Sequence, residues 1–166
     1  KGAVQQIKYA VSYFDNTYDD FISQYTFNAE TSPNGMATCG LAQCYQYQNA
    51  PKASIQGMDL RLEYRLNPQW LFKAGYVRTS GSETTLAGLN QPINTVQPEK
   101  IILSADYHQG AWGAATTIKY VGAKKQEDIA GANTNTYAPG SYTIINARGH
   151  YKANKQLNLY AGINNL

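Results

Sequence analysis

The strictest alternation in the sequence lies in Met58-Asp59-Leu60-Arg61-Leu62-Glu63-Tyr64-Arg65-Leu66. Apolar side chains occupy the even positions and charged side chains the odd ones. Since successive side chains of a β-strand point to opposite faces, this order gives one apolar face and one fully charged face. In a helix the same residues would spread both kinds of side chain around the whole cylinder. The stretch from 57 to 66 is therefore predicted to be a strand.

Six further segments repeat the alternation of period two. They cover approximately residues 5 to 16 (with a possible extension to Phe27), 70 to 79, 100 to 108, 112 to 123, 142 to 152, and 156 onward. The segment from 70 to 79 is imperfect, because Leu71 and Val77 are apolar on the polar face. The predicted fold is all-β, an antiparallel meander of about seven strands.

The connections between these segments alternate between short and long. Three are tight turns, at Asn67-Pro68-Gln69, Gln109-Gly110-Ala111 and Ala153-Asn154-Lys155, and three are long polar loops, at roughly 28 to 52, 81 to 98 and 124 to 141. Short turns at one end and long loops at the other are typical of a transmembrane β-barrel of the bacterial outer membrane. A soluble β-sandwich is the alternative, and it would require the apolar face to be covered by a second sheet.

Composition agrees with a barrel wall. Of the 166 residues, 43% are hydrophobic, only 15% are charged and 14 are Tyr, and the mean hydropathy is −0.47. No run approaches the roughly 18 apolar residues of a membrane-spanning helix. The net charge of +3 comes from scattered Lys and Arg, which does not indicate a nucleic-acid partner.

Aromatic residues of the apolar face lie near the ends of the strands, where membrane interfaces favour them. From Trp112 to Tyr120 is eight residues, which at about 3.3 Å per residue and a tilt near 40° separates two aromatic belts by roughly 20 Å. The predicted girdle facing lipid consists of Tyr64, Trp70, Tyr76, Tyr107, Trp112, Tyr120 and Tyr151, with Tyr13 in the same register.

The opposite face would line the lumen. Its predicted charged residues are Asp59, Arg61, Glu63, Arg65, Lys73, Asp106, Lys119 and Arg148. A solvated wall with cross-strand ion pairs is the favoured interpretation, ahead of a polar path for a ligand or contacts with a plug. His108 and His150 also lie on this face, near the tight turns, whereas haem ligation would need an exposed side chain at the extracellular end.

The candidate sites in the long loops are few. Cys39 and Cys44 lie close together in a polar segment, and they are predicted to form a disulfide in an oxidising compartment, with two free thiols as the alternative. Tyr45, Tyr47 and Tyr137 are the candidates for external substrate contact. An enzyme would need a catalytic nucleophile or a set of metal ligands. The sequence contains neither a nucleophile motif nor the spacing of metal ligands. We therefore expect a non-enzymatic protein without a metal site or cofactor.

Several strings resemble the C-terminal barrel strands of TonB-dependent outer-membrane receptors. They are Tyr13-Phe14-Asp15, Asp20-Phe21-Ile22, the run from Lys52 to Leu60, Pro92-Ile93-Asn94, Pro98-Glu99-Lys100 and the run from Tyr160 to Leu166. The segments from Trp112 to Ile129 and from Pro139 to Thr143 look most like the haem and haemoglobin receptor branch, with siderophore receptors next. A general diffusion porin fits the alternation equally well.

The resemblance implies a 22-stranded barrel that is occluded by an N-terminal plug and energised through TonB. The chain from 1 to 166 would then be a C-terminal portion of the barrel, with the plug upstream and a closing strand after Leu166. Haem or haemoglobin would be a transported ligand rather than a cofactor, outer-membrane lipid would surround the wall, and TonB would act on a region outside this chain.

Overall fold

The computed structural model of the chain describes residues 6–27, 44–131 and 136–166. These residues form an antiparallel sheet in which each long strand pairs with the next one along the chain. The strands are β1 (Gln6–Phe27), β2 (Cys44–Arg65), β3 (Trp70–Thr84), β4 (Asn90–Pro92), β5 (Lys100–Gln109), β6 (Trp112–Val121), β7 (Tyr142–Lys152) and β8 (Asn158–Ile163). The predicted all-β meander is thereby confirmed, with seven long strands and the short β4 paired to β3.

Two of the tight turns are built in the same way. In the turn between β2 and β3, the Asn67 Oδ1 accepts hydrogen bonds from the backbone N–H groups of Gln69, at 3.0 Å, and Trp70, at 2.8 Å. Asn154 does the same for Gln156 and Leu157 between β7 and β8, at 2.8 and 2.9 Å. An Asn side chain that bonds its own backbone two and three residues on favours a reversal of the chain.

The turn between β5 and β6 depends on a glycine. Gly110 has φ of 58°, in the left-handed region that a residue without Cβ adopts readily. The three turns thus lie at one end of the sheet, and the longer connections lie at the other end.

The strands β2 and β3 are longer than the sequence indicates. The loop predicted from 28 to 52 is wrong in its second half, because β2 begins at Cys44, and the loop predicted from 81 to 98 begins too early, because β3 runs to Thr84. Residues 44 to 56 carry no sustained apolar alternation, and Pro51 lacks a donor for the ladder. Their pairing with residues 15 to 27 of β1 makes them a strand.

The alternation along this long hairpin changes at Asp20, which has φ of 55°. Ala53 is buried on one side of that point, and Gln48 and Ala50 are buried on the other. The buried side therefore passes from odd to even residues of β2. A left-handed residue within a strand reorients the side chains that follow it.

The described residues contain one short helix and few buried apolar side chains. A 3-10 helix, Gln126–Asp128, lies between β6 and β7. Among the described residues no helix is long and apolar enough to cross a membrane. The buried apolar side chains lie toward the long connections and away from the tight turns, at Ala50, Ala53, Ile93 and Val121.

Candidate functional site: a two-faced wall and its outer loops

One face of the sheet is mainly apolar and continuous from β1 to β8, and it is called the outward face below. The register places Tyr9 beside Leu62, Leu62 beside Ala74 and Ala74 beside Leu103. The same row continues through Ile118 and Ile145. Since paired residues of neighbouring strands share a face, most apolar positions of each strand lie on one side of the sheet. Leu71, Val77 and Ile102 are exceptions on the other side. Most of these side chains are exposed or half-buried, as the surface of a wall facing lipid would be.

Aromatic side chains of this face lie against one another near the tight turns. The Trp70 ring is 4.8 Å from that of Tyr107 and 5.6 Å from that of Phe72, and the Trp112 ring is 4.3 Å from that of Tyr151. Tyr64 stacks on Phe72 at 6.4 Å. These contacts form two groups of rings, one joining β2, β3 and β5 and the other joining β6 and β7.

A second set of aromatics lies toward the long connections. Tyr76 and Tyr120 both pair with Ile101, and Tyr13 pairs with Met58. The seven predicted girdle residues and Tyr13 therefore share one face and fall into two sets at opposite ends of it. Aliphatic and small side chains fill the band between them.

The opposite face, called the inward face below, carries the charged residues that were predicted to line the lumen. Asp106 lies 3.7 Å from Lys73 on β3 and 3.8 Å from Arg148 on β7. Glu63 faces Lys8 across the ladder at 3.5 Å, and Asp59 binds Arg61 on its own strand at 2.7 Å. All these groups are partly or largely exposed, so each pair contributes little to stability. Arg65, at the end of β2, and Lys119, on β6, complete the face.

The connection from 85 to 99 folds back onto β3 and β5. A Cβ placed on Gly81 would lie 2.9 Å from Val96 Cγ2 and 3.2 Å from Ile93 Cδ1, so a glycine there allows the loop to approach closely. Glu99 accepts a hydrogen bond from the Tyr76 hydroxyl at 3.0 Å. The loop is thus fixed to the outer end of the wall.

Lys124 and Asn94 tie this loop to the connection from 122 to 141. The Lys124 ammonium donates to the carbonyls of Val96, at 2.6 Å, and Asn94, at 3.4 Å. The Asn94 Oδ1 accepts from the backbone N–H of Ala130 at 2.7 Å. Nearby, the hydrogen bond to Glu127 raises the pKa of Lys125, and the negative charges of Glu127 and Asp128 act in the same direction. The sequence did not predict these hydrogen bonds, because no spacing rule relates positions 28 to 36 residues apart.

The tyrosines predicted for external contact are exposed but differently placed. Tyr45 and Tyr47 lie on β2 rather than in a loop and are 59% and 71% exposed, while Tyr137 follows the 3-10 helix and is 82% exposed. Tyr47 pairs with Gln24, whose neighbour Ile22 is also exposed. Together they give the β1–β2 hairpin an uncharged, partly aromatic surface.

Glu83 is a carboxylate that sequence reasoning did not single out. It is 2% exposed, and one of its oxygens accepts a hydrogen bond from Gln91 Nε2 at 2.7 Å. That bond joins the end of β3 to β4. Its other oxygen, Oε2, has no hydrogen-bond partner among the described residues.

The two cysteines are only partly within the described residues. Cys44 begins β2 and is not a free thiol. Cys39 lies outside the described residues, so the pairing of Cys39 with Cys44 stays a prediction. His108 and His150 lie on the inward face, on β5 and β7.

Comparisons with known proteins define the class of this wall. The family model described as "TonB dependent receptor-like, beta-barrel" matches residues 3–166. The chain therefore belongs to the TonB-dependent receptors, whose β-barrels lie in the bacterial outer membrane. This confirms the family resemblance and the predicted location.

Individual relatives are distant and much longer. Transferrin-binding protein A of Haemophilus influenzae is 24% identical over 94% of this chain and 19% of its own length. A hemoglobin and hemoglobin-haptoglobin-binding protein of Haemophilus ducreyi is 22% identical over the same shares. Among solved structures, the copper transporter OprC superposes with a TM-score of 0.75 at 19% identity, covering 96% of this chain and 22% of OprC. That likeness shows the fold, and the chain spans about a fifth of these proteins.

Proposed function

We propose that the chain forms part of the wall and outer vestibule of an active-uptake receptor that takes iron from haem or haemoglobin. The match of residues 3–166 to the receptor barrel carries the receptor class. Relatives named for binding transferrin and haemoglobin support a protein-bound iron source. Haem is then cargo rather than a cofactor, and the chain contributes binding and a passage rather than catalysis.

The outward face would contact lipid, and the inward face would line the lumen. Outward apolar side chains such as Leu60 and Leu62 then need no protein partner, because the acyl chains cover them. Inward charges such as Asp59 and Arg61 stay hydrated or contact a plug. Energy would reach the receptor through TonB, acting on a region outside this chain.

The β1–β2 hairpin is the proposed contact surface for a protein ligand. Tyr45 and Tyr47 are exposed beyond the outer aromatic set, beside the uncharged Ile22 and Gln24. Tyr supplies a large contact area with few rotatable bonds, and protein interfaces are enriched in it. Tyr137 is a further candidate on the neighbouring loop.

The direct test is ligand binding by the full-length receptor in detergent, with haem, haemoglobin and ferric siderophores compared by spectroscopic titration. Saturable binding of haem or haemoglobin is the expected result. Binding of siderophores alone would move the protein to the siderophore branch. Failure to bind any of the three, combined with open ion conductance, would make it a porin and overturn the proposal.

The proposed contact surface has its own variants. We expect Tyr45→Ala combined with Tyr47→Ala to weaken haemoglobin binding by tenfold or more, on the order of the loss at an interface hot spot. The matched control is Tyr9→Ala, which removes a similarly exposed tyrosine from the outward face of β1. Equal haemoglobin affinity in the double variant and the control would exclude the hairpin as the contact surface.

A further inference from the structure

A single row of residues on the inward face brings the two histidines together. His108 pairs with Gly113, Gly113 with His150, and His150 with Tyr160, so the four residues cross β5, β6, β7 and β8 in line. The two imidazole centroids are 5.8 Å apart with ring planes at 25°, and the Tyr160 ring lies 5.9 Å from that of His150. Residues that are 42 and 10 positions apart in sequence thus form one cluster.

Gly113 allows the two imidazoles to meet. The backbones of β5 and β7 are two strand spacings apart, about 9 to 10 Å, with β6 between them. A Cβ placed on Gly113 would overlap the His150 ring, whose Nδ1 and Nε2 would both be 2.7 Å from it. The ring of His150 therefore lies over the backbone of β6 and leans toward His108. Any other residue at position 113 would displace it.

We propose that His108 and His150 form a binding site for a divalent transition-metal ion, with the Tyr160 phenol as a third ligand and water in the remaining positions. Imidazole nitrogen is a good ligand for Cu²⁺, Ni²⁺ and Zn²⁺, and Cu²⁺ binds most tightly at a given site. Within the described ranges, no group of three or more His, Cys, Asp or Glu side chains is placed to hold a metal ion. The site therefore binds less tightly than a closed four-ligand site.

The surroundings give such an ion room and some charge compensation. The row borders a hollow of about 770 Å³ on the inward face. Asp106 and Arg148 line the same hollow and lie 3.8 Å apart. The Asp106 carboxylate also lies 3.7 Å from Lys73, so it offsets part of the positive charge of the two cations, which would disfavour a bound metal ion. His108 and Tyr160 are exposed, so an ion reaches the row from solvent.

The ligands of this site come from the register and not from a motif. The ligand spacing of the sequence predicts no metal site, because the two histidines lie on strands separated by β6. The position of the row inside the lumen rests on the orientation in the proposed function. Metal binding by the row does not, since the cluster exists whichever face meets lipid.

The test titrates Cu²⁺ into the full-length receptor in detergent and records electron paramagnetic resonance spectra. We expect one Cu²⁺ species with nitrogen hyperfine coupling from two imidazoles in the wild type. His108→Gln and His150→Gln should each abolish that two-nitrogen species and weaken the copper affinity of the site by about tenfold or more. The difference between wild type and variant isolates this site from any other copper bound by the protein.

Two further variants separate the row from a general effect. Gly113→Ala keeps both histidines but should also weaken the two-nitrogen species, because its Cβ occupies the place of the His150 ring. The matched control, Thr117→Ala, changes the same face of β6 and should leave the spectrum unchanged. An unchanged spectrum and copper stoichiometry in the folded His108→Gln/His150→Gln double variant would overturn the proposal. The haemoglobin titration is a separate readout, so failure of the metal site leaves the receptor proposal standing.

Discussion

Leu60 and Arg61 are neighbours in the chain and lie on opposite faces of β2, and those two faces are stabilised in different ways. On the outward face, aliphatic side chains between two sets of aromatic rings have little protein around them, and lipid would complete their packing. On the inward face, partly exposed charges form ion pairs that contribute little to stability. Outward positions should therefore be sensitive to charge, while most inward positions should tolerate change.

The largest expected effect follows from placing a charge on the outward face. We expect Leu62→Arg to reduce the free energy of unfolding by about 2 to 4 kcal/mol, because Leu62 pairs with Ala74 between the two aromatic sets, where the bilayer cannot solvate a guanidinium. The measurement is reversible urea unfolding of the full-length receptor in lipid vesicles. Arg61→Leu, one residue away on the inward face, is the matched control and should change stability by less than about 1 kcal/mol. Equal losses in both variants would mean that the faces do not differ.

Gly57 is an inward position that, unlike most others on its face, should not tolerate change. The Phe14 ring covers it, and a Cβ there would lie 2.6 Å from Phe14 Cζ and 2.9 Å from the Arg78 carbonyl oxygen. We expect Gly57→Val to be destabilising by about 1 to 3 kcal/mol through overpacking. The same unfolding assay measures it. If Gly57→Val combined with Phe14→Ala is as unstable as Gly57→Val alone, the overlap with the ring is not the cause.

Trp112 lies in the aromatic set near the tight turns on the outward face. Its ring contacts that of Tyr151 at 4.3 Å, and an aromatic pair is worth about 0.5 to 1.5 kcal/mol beyond its buried area. Trp112→Leu keeps an apolar side chain and should lower stability by approximately that amount. A double-mutant cycle with Tyr151→Leu measures the coupling between the rings, and a coupling of zero would contradict the contact.

The smallest expected effect is at Asp106, which joins Lys73 and Arg148 on the inward face. Asp106→Asn should lower stability by at most about 1 kcal/mol, because exposed ion pairs are screened by water and salt. The loss should shrink further when unfolding is measured at high ionic strength. A loss of several kcal/mol that does not depend on salt would mean that the inward charges are buried in the assembled receptor.

Much of the wall could be predicted from the sequence, because alternation is a local signal. Met58 to Arg65 and the segments around 100 to 108 and 142 to 152 are strands as expected, and the tight turns carry Asn or Gly where a reversal needs them. The half of β2 that begins at Cys44 could not be predicted, because Gln48, Asn49 and Pro51 are poor strand formers. They become part of a strand through pairing with β1. The contact of His108 with His150 was invisible for a related reason: it depends on register across three strands.

Accessibility to oxygen and to water-soluble reagents distinguishes a face toward lipid from a face toward the lumen. Single spin labels on the full-length receptor in lipid vesicles, at Leu62 and Leu103 outward and at Arg61 and Ser104 inward, can be probed with oxygen and a water-soluble nickel complex. Oxygen concentrates in lipid and should relax the outward labels most. The nickel complex stays in water and should relax the inward labels most. Equal accessibility at all four positions, or the reverse pattern, would contradict a wall with Leu62 toward lipid and Arg61 toward the lumen.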